Sequence, residues 1–90
     1  MHITVNLPPS FQNIVNGENT VSIDCTTVNE CLDNLIIRLP QLKPVLMDKN
    51  NKLKAFFGIF VNDRHLHSDE MESNVHKGDC ISIIYNIVGG

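Results

Sequence analysis

Tryptophan is absent, tyrosine occurs once, and no apolar run approaches the ~20 residues that a membrane-spanning helix requires. The N-terminus has no basic segment followed by an apolar stretch and a cleavage site, so a cytoplasmic chain is expected. Positive charge is scarce: seven Lys and Arg face ten Asp and Glu, a formal charge of −3 at pH 7. Phosphate binding draws its affinity from clustered cations, so a nucleic-acid partner is not expected. The densest basic group, Lys49, Lys52 and Lys54, flanks a turn and reads as a solvated loop. Glycine-rich phosphate loops and nucleophile elbows are missing. The three cysteines, Cys25, Cys31 and Cys80, are odd in number and lack C-x-x-C spacing, so reduced, partly buried thiols are expected rather than a zinc or redox site. His65 and His67, with His76 beyond, suggest a metal, yet 63–69 reads as a polar loop without clustered Cys or Asp to complete a ligand set. Asp69, Glu70 and Glu72 stand in an acidic loop in water, whereas acid–base catalysis needs a shielded pocket that shifts pKa values. A chain of 90 residues also has little room to enclose a substrate, so an enzyme is not expected.

What is present suits a folded core: 42% hydrophobic residues, including four Phe, with 19% charged. Ile3, Val5 and Leu7 alternate with His2, Thr4 and Asn6, the period of a half-buried strand that Pro8 and Pro9 end. Asn16-Gly17-Glu18-Asn19 is a turn signal, and Val21 and Ile23 then alternate with Ser22 and Asp24. Thr27 and Glu30 have capping-box spacing and open a helix running to about residue 39. Val28, Leu32, Leu35, Ile36 and Leu39 recur at threes and fours and form its apolar face. Pro40 stops the helix, and Leu42, Val45, Leu46 and Met47 follow as an irregular apolar segment before the turn-rich Asp48-Lys49-Asn50-Asn51. A strand is expected over 53–62, with Phe57, Ile59 and Val61 on one face and Phe56, Gly58 and Phe60 on the other. After the turn Lys77-Gly78-Asp79, the run 80–85 places Ile81 and Ile83 inward, with Ser82 and Ile84 outward. There are no internal repeats, so one α+β domain over 1–85 is expected, its helix packed on one face of a mixed sheet of four to five strands. A flexible tail, 86–90, follows.

That tail reads Asn86-Ile87-Val88-Gly89-Gly90 directly after a terminal strand entered through a Gly-Asp turn, and in this the chain resembles the MoaD/ThiS family of ubiquitin-like β-grasp sulfur carriers. Leu46-Met47-Asp48, Lys52-Leu53 and Ile59-Phe60-Val61-Asn62-Asp63 resemble more closely the CysO-like branch, which carries sulfur for cysteine synthesis. The resemblance implies that an ATP-using, E1-like enzyme of the MoeB/ThiF type adenylates the carboxylate of Gly90. A sulfur donor then displaces AMP to leave a thiocarboxylate. A sulfur-accepting synthase uses that sulfur for cysteine, molybdopterin, thiamin or a related metabolite. The carrier itself binds no cofactor tightly, meets no membrane, and needs no processing protease. The resemblance also implies that the apolar residue at the position of Ile84 packs on the activating enzyme.

The residues themselves support those roles. A carboxylate that must enter another protein's nucleotide pocket needs a slender tether, and Gly89-Gly90 has no side chain to obstruct a channel. Ile87 and Val88 can supply apolar contacts at its mouth, offsetting the entropy lost when the tail orders. Phe60 and Ile84, on the face away from the helix, form the candidate partner patch. Two alternatives start from the same residues: a ubiquitin-like modifier joined to target proteins through Gly90, and a noncovalent β-grasp binding module.

Overall fold

The computed structural model describes residues 2–15, 17 and 19–85. Alternating burial builds the sheet. In β1, His2–Asn6, Ile3 and Val5 are buried while His2 and Thr4 face out, and β2, Thr20–Asp24, buries Val21 and Ile23 in the same way. The two pair antiparallel, with Ile3 opposite Ile23 and Val5 opposite Val21. The helix α1, Val28–Arg38, follows, and then a short helix α2, Lys43–Leu46. Strands β3, Phe57–Val61, β4, Arg64–Leu66, and β5, Cys80–Tyr85, complete a five-stranded sheet of order β2-β1-β5-β3-β4. β1 and β5 run parallel at its centre, whereas β3 is antiparallel to β4 and to β5.

The α1 start follows the capping logic with one shift. Thr27 Oγ1 accepts from Glu30 N at 3.1 Å, but the Glu30 carboxylate reaches back to Thr26 N at 2.6 Å rather than to the cap residue's own N–H. Val28, Leu32 and Leu35 are buried with Ile3, Val5, Ile23, Ile59, Ile81 and Ile83, and Ile36 and Leu39 pack at the margin. Pro40 opens a single 3₁₀ turn that buries Leu42, and α2 buries Leu46, so the stretch expected to be irregular is helical. Helix side chains also cover the outer edge of β2: Asn34 Nδ2 donates to Asp24 O at 2.8 Å and Arg38 Nη1 to Ser22 O at 2.7 Å. An edge strand whose carbonyls are occupied is a poorer template for another chain.

Three further expectations are corrected. The strand expected over 53–62 contracts to β3, because Leu53 instead bridges Met47 across the Asp48 turn, where Asp48 Oδ1 accepts from Asn50 N and Lys52 N. The polar loop expected over 63–69 contains β4, turned back onto β3 through Asn62, whose φ is 55°. Cys25 and Cys31 are buried and joined by a disulfide, the tight β2–α1 connection bringing their Cα atoms to 5.2 Å, within the span that bond allows. Cys80 remains a thiol, as expected.

Candidate functional site

The central strand β5 delivers the chain to the candidate tail. Its inward residues Ile81 and Ile83 are buried, and Ile84, on the opposite face, is 36% exposed. Ile84 lies opposite Gly58 and Phe60 opposite Ser82, so Phe60 is the diagonal neighbour of Ile84 on the outward face. Gly58 contributes no side chain to the face across from Ile84. Phe60 is half-buried, and its ring stacks on His65 of β4 with centroids 5.1 Å apart. On the β1 side the same face is polar, since Asn6 Nδ2 donates to Ser82 Oγ at 3.4 Å.

The last described residue, Tyr85, anchors the root of the tail, a role that the sequence reading did not assign. Its ring stacks on Phe57 at 5.2 Å and meets the edge of the buried Phe11 at 6.4 Å. Its hydroxyl and that of Ser10 are 3.0 Å apart and share a hydrogen bond. The one available signal was local: a tyrosine at the inward register of the final strand, with Pro8-Pro9 positioning Ser10 and Phe11 far away in sequence. Ile87, Val88, Gly89 and Gly90 lie outside the described residues.

The entry to β5 is equally fixed. Gly78 adopts φ +92°, a conformation that suits glycine, in the turn that Asp79 closes. Asp79 accepts from Asn62 Nδ2 at 3.1 Å and from His76 N at 2.8 Å, and these two bonds hold its carboxyl below the usual carboxylate range. Asn62 in return binds the Cys80 backbone, as acceptor from Cys80 N through Oδ1 at 3.0 Å and as donor to Cys80 O through its own N at 2.7 Å. The β3–β4 turn and the β5 start are thus one hydrogen-bonded unit. Just after β4, Glu70 accepts from His67 N and from Arg64, and both bonds lower its pKa. Among the described residues, no group of three His, Cys, Asp or Glu side chains is placed to hold a metal, and no helix is long and apolar enough to cross a membrane.

A helix packed on a mixed sheet of this order, with the last strand central, is the ubiquitin-like β-grasp. The chain belongs to the ThiS family, whose model matches residues 5–90. Across its whole length it is 32% identical to the whole of an Archaeoglobus fulgidus protein whose curated name is "Putative sulfur carrier protein". It is also similar to solved structures. The crystal structure of the Amycolatopsis orientalis BexX/CysO complex contains a chain 30% identical to this one, covering 98% of this chain and 99% of that one, with a TM-score of 0.81. Mycobacterium tuberculosis CysO is 25% identical, covering 94% of this chain and 99% of its own, also with a TM-score of 0.81. On this footing the chain is a sulfur carrier of the ThiS type, a small carrier rather than a catalyst.

Proposed function

We propose that this protein carries sulfur as a thiocarboxylate on Gly90, formed after an E1-like enzyme of the MoeB/ThiF type adenylates that residue with ATP. The observation that carries the reading is the extension of the family match through Gly90, on a chain whose central strand ends at an anchored Tyr85. Five residues follow Tyr85, about 17 Å of extended chain, a reach suited to a recessed nucleotide site. Phe60 and Ile84 provide the docking face beside that root, while Ile87 and Val88 supply apolar contacts at the channel mouth. The accepting enzyme is a synthase, and cysteine formation is the favoured route, in keeping with the likeness to two CysO chains. The protein partner of one of those chains is consistent with a carrier that acts by docking.

Position of the carboxylate is the test. Deleting Gly90 shortens the reach by roughly 3.3–3.6 Å, and adding an alanine overshoots by as much. Misplacement by about 1 Å can cost on the order of a hundredfold in rate, so both variants should nearly abolish ATP–pyrophosphate exchange with the activating enzyme. Thermal stability should not change. The intact protein, given ATP and sulfide, should show replacement of one oxygen by sulfur in its mass. Equal exchange by all three forms refutes the mechanism.

A further inference from the structure

The buried disulfide stands apart from the carrier terminus. Cys25 directly follows β2, and Cys31 lies in the first turns of α1. Asp24 pairs with His2 and Cys80 with Thr4, so this connection sits at the end of the sheet where β5 begins, whereas Tyr85 leaves from the other end. The sulfur bond is not the sole tie in this connection. Thr26 N donates to Glu30 Oε1 at 2.6 Å, Glu30 N to Thr27 Oγ1 at 3.1 Å, and Cys31 N to Thr27 O at 2.9 Å. Thr26 O accepts from Val75 N at 2.9 Å, and Val28 N and Asn29 N donate to Ser73 O and Met71 O. These bonds constrain the connection on both sides of the sulfur pair, in addition to the bond between the sulfurs. Their surroundings also suit both states, because a buried thiol behaves as a small apolar side chain and the core cluster that includes both cysteines has no buried polar residue among the described residues.

We propose that Cys25 and Cys31 form a reversible dithiol–disulfide couple that locks and unlocks the β2–α1 connection without unfolding the domain. The oxidant is a low-molecular-weight disulfide. The thiolate of one cysteine attacks a sulfur of the reagent and expels one thiolate, leaving a mixed disulfide. The second cysteine attacks the protein sulfur of that intermediate, closes the Cys25–Cys31 bond and expels the other thiolate. The protein loses two electrons and two protons, and the reagent becomes two thiols. Because both sulfurs are buried, exchange proceeds only when the first turn of α1 opens, a local event of lower cost than global unfolding. Reclosure is favoured by the hydrogen bonds that position the pair, and the bond secures the 71–75 loop through the same connection.

The test uses the full chain with Cys80→Ser, so that the remaining thiol does not enter the count. Folded protein is incubated with oxidised glutathione, then with dithiothreitol, and each sample is denatured, alkylated with iodoacetamide and weighed. The expected result is no alkylation after oxidation, two alkylated cysteines after reduction, and a folded circular-dichroism spectrum in both. A bond closing so short a loop should raise the melting temperature of the oxidised form by on the order of 10 °C. Cys25→Ser should abolish that difference. If Cys80→Ser does not fold, peptide mapping of the unsubstituted protein reads the same pair. Two alkylated cysteines after oxidation, glutathione left on Cys25 or Cys31, or unfolding on reduction overturns the proposal. None of these readouts involves Gly90, so the result is independent of the carrier mechanism.

Discussion

Consecutive residues of β5 should respond to the same substitution in opposite ways. Ile84 is 36% exposed on the outward face, and Ile83 beside it is 2% exposed in the core. Fully burying an isoleucine side chain contributes about 1.5–3 kcal/mol, so removing the covered part of Ile84 should cost about 1–2 kcal/mol. The new carboxylate of Ile84→Asp remains in water. A small domain with a stability of about 5–15 kcal/mol stays folded after that loss, with its melting temperature lowered by roughly 4–16 °C. In Ile83→Asp the full transfer term is lost and a carboxylate enters a region with no buried polar group among the described residues, so most of the stability should disappear. The proposed function adds a second consequence for Ile84→Asp. Docking would desolvate the charge without a partner, a penalty of at least about 1.4–3 kcal/mol, or tenfold or more in affinity for the activating enzyme. Thermal melts of both variants, followed by a binding titration of Ile84→Asp, separate fold from docking. An unfolded Ile84→Asp or a stable Ile83→Asp would refute the register. A folded Ile84→Asp that binds normally would leave the fold intact and remove Ile84 from the interface.

Other perturbations probe the core and the β5 turn. Leu35→Ala should destabilise by about 2–5 kcal/mol in denaturant unfolding because Leu35 is 0% exposed beneath the helix, whereas Ile37→Ala, at a 76% exposed position of the same helix, should be nearly silent; similar values for the two would contradict the helix face. Asp79→Asn should destabilise near neutral pH by weakening the bonds to Asn62 and His76, and the gap to the parent protein should close in acid. The sign follows from a folded-state pKa held low by those bonds: the contribution of Asp79 is complete above the ordinary carboxylate pKa of about 3.9 and is lost as pH falls through the lower folded value. Melting curves from pH 7 to 2 that keep a constant gap would count against this account.

The parts of the fold that were legible in sequence are those specified by neighbours along the chain. Alternation marked β1, β2 and β5 because each buries every second side chain, and the Thr27–Glu30 spacing marked the start of α1 because a cap acts within four residues. β4 escaped notice for the converse reason. It has three residues and buries only Leu66, too little for a periodic signal, and its pairing is imposed by Asn62 turning the chain back onto β3. The reach of β3 was overstated because 53–56 is apolar enough to continue a strand, while Leu53 finds its partner in Met47. Cys25 and Cys31 illustrate a limit of another kind: a separation of six positions permits a bond only when the connection between them doubles back, which depends on the tertiary contacts of Thr26 and Val28 with the 73–75 segment.

At the candidate site the informative feature was a break in the pattern. A strand that obeyed strict alternation would carry a polar residue at position 84, as it does at Ser82, and an isoleucine there faces away from the core that Ile81 and Ile83 fill. An outward apolar residue on a central strand lowers solubility unless a partner covers it. That argument needs only local register, and so it could be made from sequence. The anchoring of the tail could not, because Ser10 and Phe11 reach Tyr85 across about 75 positions. What the structure adds is a fixed origin for the final five residues: Tyr85 is stacked, hydrogen-bonded and paired with Phe57, so the distance from Ile84 on the proposed docking face to the start of the tail is set by the sheet. A carrier whose chemistry depends on placing one carboxylate needs such an origin, since slack at the root would blur the position of the terminus as surely as a changed length.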